Sequence, residues 1–155
     1  MNPYLNLATA LACGLMAGVF FTFSSFVMKA LGKIAPPEAV TAMQSINIHA
    51  VKSWFLPAFM GSAVLCLAVV ALSVGKLNAS SARLVFIGAM IHFVGCFLVT
   101  IVFNVPMNNA LAAVSPASPA AAVAWSDYLV RWTMWNHVRT LSSLVATALL
   151  ILGRA

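Results

Sequence analysis

Apolar residues fill four long runs of this chain, and most polar positions lie between the runs. The runs cover residues 5–31, 54–75, 84–104 and 138–152. A helix that crosses the ~30 Å hydrocarbon core of a bilayer needs about 20 apolar residues. The first three runs are long enough, and the fourth becomes so when it is extended back to residue 132. The pattern predicts one all-α transmembrane domain over residues 1–155, a four-helix bundle with spans at about 5–31, 54–75, 84–104 and 132–152.

The composition supports an integral membrane protein. Hydrophobic residues make up 63% of the 155 positions and charged residues only 6%, whereas soluble domains carry about 25% charged residues. The net charge of +6 is spread over loops and helix ends, so we expect no nucleic-acid partner. No Lys or Arg precedes the first run, which predicts an uncleaved span rather than a secretory signal. We expect a bacterial inner membrane, and the loop charges outside the candidate site favour cytoplasmic termini.

Two connections between the predicted spans are long, and an up-and-down topology places both on the same side of the membrane. The first, residues 32–53, is predicted to hold a short extra helix, because Pro36 and Pro37 suit the first turn of a helix. One face of that helix carries Met43, Ile46, Asn47 and Ala50. The second, residues 105–126, leads into an interfacial helical extension before the fourth span. We therefore expect function at this end of the bundle.

An aromatic segment, residues 125–140, forms this extension and the start of the fourth span. On a helix, four of its residues fall at i, i+4, i+7 and i+11 and share one face. They are Tyr128, Trp132, Trp135 and Arg139. Stacked rings that end in a fixed cation suit a flat, anionic or enolisable aromatic ligand. An aromatic belt at the membrane interface, with a snorkelling arginine, gives the same pattern.

Polar side chains from three segments favour a pocket over a belt. These side chains are predicted to lie at the same depth in the membrane as Arg139. They are Asn47 and His49, Asn104 and Asn108, and Asn136 and His137. A belt does not require such convergence, whereas ligand sites combine apolar walls with a few convergent polar groups. The sequence therefore predicts one pocket beside the two long connections.

The cysteines carry no sign of a redox or metal motif. Cys13, Cys66 and Cys96 lie in different spans without a close pair in the sequence, so neither a disulfide framework nor a zinc cluster is predicted. Gly14 and Gly18 form a small-xxx-small face in the first span, which favours the close approach of a neighbouring helix.

Four short segments, in this order along the chain, resemble the anthrone oxygenase-like family of small four-span membrane proteins. The segments are Gly18-Val-Phe-Phe-Thr-Phe-Ser24, Met43-Gln-Ser-Ile-Asn47, Asn104-Val-Pro-Met-Asn108 and Trp132-Thr-Met-Trp-Asn-His-Val-Arg139-Thr140. The resemblance implies oxidation of anthrones to anthraquinones by dioxygen without an evident cofactor. It does not fix the substrate, since one family hosts several functions.

Chemistry assigns roles to the candidate residues as hypotheses. An anthrone-like carbon acid needs a base, and His49 or His137 can serve because histidine titrates near neutral pH. Arg139 can hold the oxyanion. Further hydrogen bonds are expected from Asn47, Asn104, Asn108 and Asn136. The rings expected to stack on the substrate are Tyr128, Trp132, Trp135, Phe20, Phe21 and Phe23. Neither metal nor other cofactor is expected; the partners are an apolar aromatic molecule, dioxygen and the lipid bilayer.

Two other function classes stay open. A haem- or copper-binding redox protein would use His49, His137 or His92 as ligands. His92 lies about 18 Å along the helix from Asn104, too far to share one metal with the other two histidines. A non-enzymatic module that binds a lipid or quinone, or an accessory subunit, would use the same aromatic face without a titrating base. Self-association of the chain is also left open.

Overall fold

A computed structural model of the protein describes residues 2–153. Within these residues the fold is all-helical and contains no strand. We number its five helices α1 (Pro3–Leu31), α2 (Pro36–Lys52), α3 (Phe55–Lys76), α4 (Ser80–Ala112) and α5 (Ala121–Leu152). Three of them change pitch internally: π turns occupy Phe23–Val27 in α1 and Phe93–Leu98 and Thr100–Asn104 in α4, and a 3₁₀ turn, Val74–Lys76, ends α3.

Local sequence explains where the first helices begin. The Asn2 side chain accepts hydrogen bonds from the backbone N–H groups of Tyr4 and Leu5 at 3.0 and 3.3 Å, which caps α1. Ala35 is extended, with φ −59° and ψ 141°, because the residue before a proline avoids the helical region. Helix α2 therefore starts at Pro36.

Three helices, α1, α3 and α4, are long and apolar enough to cross a membrane. The chain is thus a helical membrane protein. Helix α5 does not meet the same measure, because Asn136, His137 and Arg139 interrupt the apolar character of its middle. Instead, α5 packs along α1 and α4, while α3 packs against the same two helices from the other side.

Two larger clusters of buried side chains, and a smaller third one of Met16, Phe20, Phe59 and Cys96, organise the interior of residues 2–153. One larger cluster lies between α1, α3, α4 and α5, and it contains Cys13 and Cys66, whose sulfur atoms are 3.8 Å apart. The sequence spacing gave no sign of this contact. The other larger cluster lies where α2 covers the beginning of α5, and it joins Val40 and Met43 to Trp125, Tyr128 and Trp132. Helix α2 thereby encloses the aromatic segment from above.

Close helix packing occurs at other glycines than the ones expected. Gly14 faces Thr147 of α5 at ordinary van der Waals distance, and Gly18 has open space around its α-carbon. On α4, by contrast, a β-carbon at Gly88 would lie 2.9 Å from the Leu149 β-carbon and 3.1 Å from the Ala146 carbonyl oxygen. A β-carbon at Gly95 of α4 would likewise lie 2.6 Å from the Ser142 β-carbon of α5, so Gly88 and Gly95 both let α4 and α5 approach closely.

We expect Gly88→Ala to destabilise the protein by about 1–3 kcal/mol, because the added methyl group meets a backbone carbonyl that cannot rotate away. Gly18→Ala is the matched control and should change stability little, since nothing lies within 4 Å of its added β-carbon. Thermal unfolding in detergent measures both variants. Equal midpoints for the two variants would contradict this account of the α4–α5 contact.

Candidate functional site

A cavity of about 350 Å³ lies beneath α2, enclosed by residues of all five helices. Its walls are mainly apolar, and its polar lining residues are Asn47, Thr100, Asn108 and Arg139. Asn47 comes from α2, Thr100 and Asn108 come from the second half of α4, and Arg139 comes from the middle of α5. The predicted face of α2 points here, since the cavity is lined by Met43, Ile46, Asn47 and Ala50.

Arg139 is the charged group of this cavity. Only 3% of its surface is exposed, and its guanidinium carbon lies 4.3 Å from the Phe20 ring centroid and 4.9 Å from that of Trp132. One terminal nitrogen donates to Asn136 Oδ1 at 2.7 Å and the other to Thr100 Oγ1 at 3.4 Å. None of residues 2–153 accepts a hydrogen bond from its Nε.

No buried acidic side chain accompanies this cation. The chain contains two acidic residues, Glu38 and Asp127, and both are exposed. Buried charges in proteins are normally paired, because an isolated charge loses several kcal/mol of solvation. Aromatic rings supply part of the missing stabilisation through cation–π contacts. The cavity is therefore suited to an anionic group that completes the coordination of Arg139.

Two asparagines position the wall around Arg139. Asn136 orients the guanidinium through its Oδ1, and its Nδ2 donates to the Phe20 carbonyl and to Ser24 Oγ, both at 2.7 Å. Asn104 Nδ2 donates to the Trp132 carbonyl at 3.3 Å. Both side chains are buried and neither lines the cavity. They act as positioning residues that tie α5 to α1 and α4.

Asn108 and Asn47 line the cavity directly. Asn108 Oδ1 accepts hydrogen bonds from the Tyr128 hydroxyl and from Trp132 Nε1, each at 2.8 Å. Burial raises the pKa of Tyr128 above its ordinary value, which keeps the hydroxyl a donor. The buried Nδ2 of Asn47 finds no acceptor within the described part of the chain. No well-formed hydrogen bond uses this donor, although it lies close enough to the Tyr128 hydroxyl to lower the pKa of that group.

The aromatic face of α5 differs from the expected one by one residue. Trp125 and Trp132 both stack on Tyr128, with ring centroids 5.8 and 5.9 Å apart. Trp135 leaves this face and stacks on Phe103 of α4 at 3.7 Å, outside the cavity lining. The sequence pattern included Trp135 and missed Trp125, although Trp125 lies in the same segment.

Phenylalanines of α1 and α3 complete the apolar wall. Phe23 contacts Trp132 with centroids 5.6 Å apart, and Phe20 meets Phe55 and Phe59 edge-on at 6.2 and 6.5 Å. Phe21, which was expected to join them, is 57% exposed. Nothing in the sequence pattern indicated that Phe55, Phe59 or the Thr100 hydroxyl would face the same cavity.

The structure does not bring the histidines to the cavity. His49 and His137 are exposed. His49 follows the cavity residue Asn47 by two positions, and His137 precedes the cavity residue Arg139 by two positions. Two residues turn a helix by about 200°, which directs these side chains away. His92 is fully buried, and its Nε2 lies 3.0 Å from Ser62 Oγ in another part of the fold.

The rim of the cavity is apolar. Side chains from α2, α3 and α4 surround its opening and are exposed: Val51, Leu56, Met60, Ile101 and Val105. Exposed apolar groups on membrane-spanning helices face lipid. Four of these five residues lie on α3 and α4, two of the helices that are long and apolar enough to cross a membrane.

Comparison with known proteins adds the family. The anthrone oxygenase family matches residues 49–149, a segment that includes Thr100, Asn104, Asn108, Trp132 and Arg139. Phe20 and Asn47 lie before it. No curated protein and no solved structure matches the chain. Since the match covers well over half of the sequence, the chain belongs to the anthrone oxygenase family.

Proposed function

We propose that the protein is a membrane-embedded oxygenase that oxidises a flat, apolar carbon acid of the anthrone type in this cavity. The observation that carries the proposal is Arg139, a buried guanidinium beside an apolar cavity without a carboxylate partner. An enolate complements it, because the charge would lie against the guanidinium and the rings against aromatic walls. Membership of the anthrone oxygenase family supports the reaction class.

The dimensions and polarity of the cavity suit such a substrate. Its volume of about 350 Å³ falls within the ~300–1,000 Å³ of small-molecule pockets. Two donors of the lining are available to the substrate: Arg139 from α5 and the Asn47 amide from α2. Two polar groups can therefore address two oxygens of one ring system.

The proposed reaction converts a ring methylene into a second carbonyl. Loss of one proton gives the enolate, whose carbon then forms a bond to dioxygen. The resulting peroxide takes up a proton and loses water, which leaves the quinone. Overall, the methylene loses two hydrogens and gains one oxygen atom, and the other atom of dioxygen leaves as water. The enolate supplies the electrons that reduce dioxygen.

In this proposal the protein favours ionisation of the substrate by stabilising the charged form on Arg139. Among residues 2–153, those that line the cavity include no histidine and no carboxylate. We therefore assign the first proton to a solvent base rather than to His49 or His137. Asn136 and Asn104 keep the wall in place, and Tyr128 and Trp132 hold Asn108.

The proposal includes a fourth membrane crossing. In this proposal residues 132–152 of α5, which lie beside α1 and α4, form the fourth span. Together with the three apolar helices α1, α3 and α4, they give a four-helix transmembrane bundle. Arg139 would then lie about 10 Å inside the start of this span, where a charge without function is costly. With both termini in the cytoplasm of a bacterial inner membrane, the cavity lies toward the outer leaflet.

Oxygen uptake by the purified protein in detergent tests the function. With anthrone as substrate, we expect one dioxygen consumed per anthraquinone formed, at a rate well above the protein-free reaction. The double variant His49→Gln/His137→Gln should keep this rate, because both side chains lie outside the cavity.

Quenching of tryptophan fluorescence by anthrone, without faster oxygen uptake, would identify a binding module instead of an oxygenase. Loss of turnover in the double histidine variant would indicate that a histidine, rather than a solvent base, removes the first proton. An optical spectrum of the same sample shows whether a haem or copper centre contributes.

A further inference from the structure

Three potential metal ligands meet in the interior, apart from the substrate cavity. Cys13 of α1, Cys66 of α3 and His92 of α4 are each 0% exposed. One ligand atom from each lies within 4.8 Å of the other two, and the two sulfur atoms are 3.8 Å apart. The cluster joins the three helices that are apolar enough to cross a membrane.

The hydrogen bonds of His92 define its protonation. The Ser62 hydroxyl donates its one proton to the Phe59 carbonyl at 2.7 Å. Its oxygen can then only accept from His92 Nε2, which lies 3.0 Å away, so Nε2 carries the ring proton. Nδ1 is left with a lone pair, and no group in residues 2–153 donates to it. A buried lone pair of this kind is costly unless a partner binds it.

We propose that Cys13, Cys66 and His92 bind a thiophilic d¹⁰ metal ion, Zn(II) or Cu(I), through two sulfurs and Nδ1. Zinc–sulfur bonds of about 2.3 Å at a tetrahedral angle place two sulfurs about 3.8 Å apart, which matches the observed separation. Soft thiolate ligands select Zn(II) and Cu(I) among available metals. The Nε2 contact to Ser62 is the outer hydrogen bond that metal-binding histidines usually make.

Charge is consistent with a site inside a membrane. Binding releases the two thiol protons, and two thiolates neutralise Zn(II), so the interior gains no net charge. Three ligands complete the coordination of Cu(I), although two thiolates then leave one negative charge, whereas Zn(II) would take a fourth ligand from solvent. Either ion would fasten α1, α3 and α4 to each other. It would also fix Phe59, whose carbonyl holds Ser62 and whose ring lines the substrate cavity.

Metal analysis of the reduced, detergent-purified protein tests the site. We expect about one Zn(II) or Cu(I) per chain, and the metal-free protein should take up Co(II) with the intense absorption of thiolate ligation. Competition with a zinc chelator and with a Cu(I) chelator distinguishes the two ions. Cys13→Ala, Cys66→Ala and His92→Ala should each lose most of the bound metal.

Cys96→Ala is the matched control, since Cys96 is equally buried but lies outside the cluster; it should bind metal as the wild type does. Absence of both stoichiometric Zn(II) or Cu(I) and thiolate–Co(II) absorption from the folded, reduced wild type would overturn the proposal, whatever the variants do. Equal metal loss in the Cys96 variant would also overturn it. So would a Cys13–Cys66 disulfide that persists under reducing conditions. None of these results depends on oxygenase activity.

Discussion

Replacing Arg139 with glutamine is expected to lower kcat/KM for anthrone by about 100- to 1,000-fold, the usual effect of removing one oxyanion donor. The loss should fall mainly on kcat, because the guanidinium acts on charge that develops as the substrate ionises. The thermal midpoint should stay the same or rise, since the variant no longer buries an unpaired cation. Initial rates of quinone formation and thermal unfolding in detergent measure the two effects.

Arg131→Gln provides the control for this substitution. Arg131 lies two helical turns earlier on α5 and is exposed, so its loss removes the same charge without touching the cavity. Arg139→Lys should be intermediate, because it keeps the charge but not the planar, multiply donating group. A folded Arg139→Gln protein with wild-type kcat/KM would rule out the anion-binding role.

Asn47→Asp is expected to lower kcat/KM by about 100-fold, which corresponds to ~3 kcal/mol. The substitution replaces one amide nitrogen with oxygen and leaves the volume of the side chain unchanged. It places a carboxylate in the cavity that contains Arg139, where it supplies the missing counter-charge and repels an enolate. Stability should not fall, because the buried cation gains a partner.

Asn109→Asp is the comparison variant, since Asn109 is exposed and outside the cavity lining. It tests whether one added negative charge at this end of the protein is itself inhibitory. Equal inhibition by the two variants would point to a general charge effect. Undiminished turnover in Asn47→Asp would show that the substrate does not bind as an anion.

Helical periodicity predicted much of the cavity. Trp132 and Arg139 of α5 and the α2 face that contains Asn47 do line the cavity, whereas Tyr128, which was expected beside them, stacks on Trp132 outside the lining. Trp135 lies at the edge of the α5 face on an ideal helix. Its ring turns to Phe103, a partner on α4 that could not be known before the helices were packed. Periodicity predicts which residues share a helix face to within one neighbouring residue. For a residue at the edge of that face, the packing of the neighbouring helices determines where its side chain lies.

Depth along a helix was easier to predict than direction around it. His49 and His137 lie at the level of Asn47 and Arg139, as their sequence positions indicate, but about 200° around the helix from them. The contact between Cys13 and Cys66 had no sequence signal, because it depends on which faces of α1 and α3 meet. Pairings between faces are properties of the assembled helices.

The apolar rim of the cavity, from Val51 on α2 to Ile101 on α4, determines whether the ligand concentration in water or in the membrane governs binding. A ligand that arrives through such a rim is sampled from the hydrocarbon phase, so its amount per lipid matters rather than its amount per litre of water. Adding detergent or lipid at constant ligand should dilute it and raise the apparent KM. KM values and inhibition constants of the proposed oxygenase should therefore be expressed as mole fractions in the membrane or micelle.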